Sequence, residues 1–153
     1  MSSKKTDKKI DSKNVNIWKY IHCDVYKCGV SIFIGECEAL KKWAKKVYNG
    51  NADVDMLQGM EATCTEADYI ENNVAARCYV SSGGACIVHL PRFSFTYNPQ
   101  EITSLSHEVL HAAFGILDYI GVEYRYGGSN EPYTYLHEFI LKNALIRNGY
   151  RKA

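Results

Sequence analysis

The chain reads as an α+β domain, and three features of its pattern lead there. Two runs rich in β-branched and aromatic residues open the ordered part, the apolar spacing turns helical after residue 36, and two well-capped helical segments follow residue 98. At 153 residues the chain suits a single domain, large enough to bury roughly two-thirds of the surface its unfolded form exposes.

The first 14 residues, MSSKKTDKKIDSKN, carry five lysines and two aspartates with no apolar stretch, which predicts a solvated, flexible tail and not a secretory signal. The expected folded unit is 15–153. NVNIWKYIHCDVY and KCGVSIFIG, joined through a short polar stretch, predict two neighbouring strands. From Glu36 to Tyr48, Ala39, Leu40, Trp43, Ala44 and Val47 recur at helical spacing with lysines opposite, and Asn49-Gly50-Asn51 supplies a stop, so one amphipathic helix packs on the sheet. Residues 51–76 offer short helices around 55–60 or 65–72. RCYVSSGGACIVHL reads as strand, turn and strand ending at Pro91, which completes an antiparallel, β-rich N-terminal half.

Asn98 is a good N-cap, Pro99 suits the first helical position, and Glu101 places an acid in the first turn, so a long helix runs from here to about Ile120 before Gly121. After a Gly- and Tyr-rich loop, Asn130 caps a last helix that carries Glu131 and Pro132 in its first turn and continues to Gly149.

Composition narrows the function classes. The sequence is 46% hydrophobic and 23% charged, and no apolar run approaches the ~20 residues of a membrane span, so a soluble, intracellular (cytoplasmic) protein without a membrane partner is expected. Formal net charge is +1, and the first 14 residues contribute +3 of it; the remainder is near −2, which argues against a nucleic-acid partner. The six cysteines contain no C-x-x-C pair and read as reduced, partly buried thiols, with a Cys23–Cys28 link across the first hairpin as the alternative.

The stretch with chemistry in it is SHEVLHAAFGILDY, 106–119. On a helix, His107 and His111 are one turn apart on one face and can present imidazole nitrogens to a single ion. Glu108 lies about 100° round from His107, where it can reach a metal-bound water without binding the metal. A tetrahedral catalytic zinc needs three protein ligands and one open position. Glu131, His137 and Glu138 are the candidates for the third.

His107-Glu108-x-x-His111, followed twenty residues later by Asn130-Glu131, resembles the gluzincin arrangement of thermolysin-like metallopeptidases. The resemblance implies His107, His111 and Glu131 as Zn2+ ligands and Glu108 as general base. Where that family carries an aspartate that orients the first histidine, this chain has Tyr135. The overall layout is also similar to small zincin-like proteins widespread in bacteriophage genomes, which implies a small zincin-like domain, phage-encoded and acting in a host cell. Helical arithmetic agrees on the third ligand: Glu138 lies about 10 Å further along the axis than Glu131, and His137 is turned away from it. His22 and His89 read as structural histidines.

The expected activity is zinc-dependent hydrolysis of peptide bonds in a peptide or protein substrate. Tyr124, Arg125, Tyr126, Tyr133 and Tyr135 are the candidates to stabilise the oxyanion, and the 78–90 strands would pair with an extended substrate, as the zincin resemblance suggests. The rival reading is a catalytically inactive zincin-like protein that binds a phage or host protein through its tyrosine-rich loop.

Overall fold

The first hairpin forms as its sequence requires. β1 (Ile17–Cys23) and β2 (Cys28–Ile34) run antiparallel with Cys23 opposite Cys28. The turn between them places Lys27 at φ 54°. This computed structural model describes residues 15–128 and 130–153; the lysine-rich segment 1–14 and Ser129 lie outside the described residues. Cys23 and Cys28 are free thiols despite facing each other, as are the other four cysteines.

α1 (Cys37–Val47) follows β2 and buries Leu40, Trp43 and Ala44. Both alternatives for 51–76 form, so three helices, not one, pack on this half. α2 (Val54–Thr63) is held by buried Met56 and Met60, and α3 (Glu66–Glu71) by the Thr65 cap, whose side chain accepts the N–H of Asp68. β3 (Arg77–Val80) and β4 (Cys86–Leu90) make the second hairpin.

These strands and a short β5 (Arg151–Lys152) build one sheet in the order β3-β4-β2-β1-β5. β4 pairs with β2 in parallel, Val30 opposite Cys86 through Ile34 opposite Leu90. The sheet is therefore mixed, which corrects the expectation of an antiparallel half. The reason is the path of the chain: α1 to α3 lead from the end of β2 to Arg77 at the same end of the sheet, β3 runs back along the edge, and the hairpin returns as β4 between β3 and β2, in the direction of β2.

Parallel pairing goes with burial on both faces. Val30, Ile32, Ile34 and Val88 point into one core, under α4 (Pro99–Tyr119) and α5 (Glu131–Leu145). Phe33, Tyr79 and Ile87 point into the other, with Trp43, Met56, Met60 and Tyr69 of the first three helices. The result is an α+β domain of three layers, with helices on each face of the sheet. α5 stops at Leu145, four residues short of Gly149, because Ile146 turns extended and Gly149, at φ 93°, leads the chain into β5 beside β1.

α4 positions the motif. Asn98 caps it by accepting the N–H of Glu101, and Glu101 in turn accepts the backbone N–H groups of Ser94, Thr96 and Tyr97, tying the incoming loop to the first turn. Leu105, Val109, Ala112, Ala113, Ile116 and Leu117 are buried along one stripe. Full burial of each larger aliphatic side chain is worth roughly 1.5–3 kcal/mol, so the stripe fixes the helix rotation. Gly115 lets α4 sit close to the edge of the sheet: a Cβ there would meet Val80 Cγ2 at 3.0 Å and Cγ1 at 3.1 Å.

Candidate metal centres

The rotation set by that stripe leaves His107 and His111 on the outer face of α4. Their Nε2 atoms are 3.1 Å apart, with the rings edge to face. Two nitrogens each ~2.0–2.1 Å from one tetrahedral zinc stand about 3.3 Å apart, so the pair has the separation that a shared ion requires. As it stands, one imidazole donates its Nε2–H to the other.

Glu108 projects differently. Its side chain is 12% exposed, against 68% for His107, and lies near the edge strand, with the backbone N–H of Cys78 close enough to favour its charged form. Burial raises its carboxyl above the usual range, while His107, His111 and the Cys78 N–H pull the other way. One carboxylate oxygen is 4.0 Å from His107 Nε2.

The second helix contributes less than the motif does. Glu131 is the first residue of α5 and is exposed. Among the described residues no carboxylate, Glu131 included, joins the two imidazoles with all donor atoms inside 4.8 Å. His137 donates Nε2–H to the Ser106 carbonyl, 3.0 Å away, and so locks α5 to α4 just before the motif. Glu138 is exposed, and Tyr135 lays its ring on Phe139 at 6.2 Å and 20°.

The tyrosine-rich loop sorts itself by partner. Tyr133 is buried and its hydroxyl donates to the Val122 carbonyl, Arg125 is bound to Glu123, and Tyr124 packs on Phe114 and Tyr133. Tyr126 is 95% exposed.

A second cluster lies on the opposite face of the sheet, and sequence reading passed over it. Cys37, Cys64 and His89 bring one donor atom each to within 4.8 Å of the others, and this group can hold a metal ion. Cys37 opens α1, Cys64 caps the end of α2, and His89 sits in β4, fully buried. Cys64 Sγ is 3.8 Å from His89 Nδ1. The Gly35 carbonyl can only accept, so the 2.7 Å contact to it puts the proton on His89 Nε2 and leaves a lone pair on Nδ1. The Tyr69 hydroxyl donates to that lone pair at 2.7 Å, and Tyr79 Oη stands 3.3 Å from Tyr69 Oη.

Burial keeps these groups neutral. It brings His89 down to about 4 and, with the Cys64 thiol beside it, pushes Cys37 up to about 12. The spacings of 27 residues between the cysteines and 25 between Cys64 and His89 match no local motif; the one signal was a histidine in a strand with no polar alternation around it. Among the described residues, no helix is long and apolar enough to cross a membrane. No family model, curated protein or solved structure matches this chain.

Proposed function

We propose that the outer face of α4 is a zinc-dependent peptide-hydrolysing centre, with His107 and His111 as metal ligands and Glu108 as general base. The observation that carries this reading is the division of labour in one helical turn: two exposed imidazoles at ligand separation, and beside them a carboxylate held largely out of water. Glu131 is the proposed third ligand, from its place at the start of the neighbouring helix and from the resemblance of the His-Glu-x-x-His…Asn-Glu pattern to gluzincins.

Zinc bound there would polarise a substrate carbonyl and bring a water to a pKa of roughly 7. Glu108 takes the proton of the attacking water and delivers it to the leaving amine, and its partial desolvation suits a group that must do both near neutral pH. The nearby Cys78 N–H favours the charged form of that carboxylate. β3 ends the sheet, and the proposed substrate lies extended along it, next to Glu108.

The test is turnover of a mixed fluorogenic peptide set by the zinc-loaded full chain and by Glu108→Gln. The expected result is a loss of about 10²- to 10⁴-fold in kcat with zinc content unchanged. Activity retained in that variant removes Glu108 from the role. Zinc uptake that the His107→Ala/His111→Ala double change removes, without any turnover by the parent protein, assigns the face to the binding-module reading.

A further inference from the structure

We infer that Cys37, Cys64 and His89 form a second metal site, selective for a thiophilic d10 cation of the Zn2+ class and independent of the α4 centre. The donor chemistry is the first ground. Two sulfurs and an imidazole nitrogen are a soft set, and two thiolates neutralise a divalent cation, so the loaded site carries no net charge into a buried environment. Binding releases the two thiol protons to solvent.

Geometry is the second ground. A sulfur at ~2.3 Å and a nitrogen at ~2.0–2.1 Å on one tetrahedral ion stand about 3.6 Å apart, and Cys64 Sγ and His89 Nδ1 are at 3.8 Å. Metal-binding histidines almost always donate their other ring N–H to a carbonyl or carboxylate, which fixes tautomer and ring plane. His89 already does this through Nε2–H to Gly35. Nδ1, on the cysteine side, is left as the donor atom.

Access is the third. A cleft of about 1210 Å³ opens beside the cluster, and Cys37 and Tyr69 line it. Its walls carry the carboxylates of Glu36, Glu66 and Glu101 against the guanidinium of Arg92, with Glu38 paired to Lys41, a balance that stays negative and draws cations inward. Tyr69 is the gate at the inner end, because its hydroxyl occupies the lone pair that the ion needs. On metal binding that hydroxyl turns to Tyr79 Oη, already 3.3 Å away.

The experiment titrates Co2+ into the reduced full chain and follows thiolate-to-cobalt charge-transfer absorption, which the sulfur-free α4 centre does not produce. The expected band saturates at one equivalent, is displaced by Zn2+, survives the His107→Ala/His111→Ala double change and is absent from Cys64→Ser. Tyr69→Phe frees the lone pair and tightens binding roughly three- to tenfold. Should Cys64→Ser fail to fold, residue-resolved alkylation of the parent protein decides: bound cobalt protects Cys37 and Cys64 but not Cys28. A folded, reduced parent protein that shows no thiolate band, or equal alkylation of all three cysteines with and without cobalt, overturns the inference.

Discussion

The two histidine clusters differ in how the fold supplies their ligands. His107 and His111 come from one turn of one helix, stand exposed, and share one hydrogen bond in which one ring donates and the other accepts. His89 comes from a central strand, is fully buried, and meets cysteines from two other elements with both ring nitrogens engaged. The exposed pair is cheap to build and contributes little to folding. The buried cluster is woven into the core, so its side chains serve stability before they serve any ligand.

The comparison breaks first at the metal. Removing one of two converging imidazoles by His111→Ala should lower zinc affinity at α4 by more than about a hundredfold, since even changes behind a ligand cost 10- to 100-fold. Isothermal titration against a competing chelator reads this, and unchanged affinity would strip α4 of its ligand role. Stability should respond in the opposite pattern. His89→Ala should cost about 3 kcal/mol in urea unfolding, because it leaves a cavity and deprives the Gly35 carbonyl and the Tyr69 hydroxyl of a partner. His107→Ala should stay within about 0.5 kcal/mol. Equal costs would erase the distinction.

Acid sharpens the contrast. Burial brings the folded-state pKa of His89 to about 4 from 6.5 in the unfolded chain, so the unfolded state binds the extra proton between these values. The contribution of neutral His89 is fully present above pH 6.5 and is lost as pH falls toward 4, by roughly 3 kcal/mol. The wild-type stability profile minus that of His89→Leu should show this fall across pH 6.5 to 4. A flat difference would mean that the imidazole reaches solvent.

Local pattern made α4 legible, since Asn98-Pro99 marks its start, the apolar stripe its rotation, and Gly121 its end. His107 and His111 followed because a one-turn spacing is a statement about geometry. Glu131 was one of three candidates for the third ligand, and a family resemblance singled it out, because spacing along one helix does not fix where the next one starts; it lies exposed at the head of α5. The parallel β2–β4 pairing was hidden because a buried strand has the same apolar run whichever way its neighbour points. The cluster at His89 was hidden for a related reason: its three residues meet only after α1, α2 and β4 have packed, and no short window of sequence contains two of them.

The missing side chain at Gly115 sets a gauge between α4 and the end of the sheet. Ala at this position must push Val80 aside by a few tenths of an ångström or lift the helix from β3 by that distance. Lifting would draw the Cys78 amide away from Glu108, two turns earlier on the same rod. One methyl, set against Val80 and not against any proposed ligand, would then detune the base while both imidazoles kept their spacing. Gly115→Ala should therefore depress turnover at undiminished zinc occupancy, and crystallography of the variant would measure the widened gap.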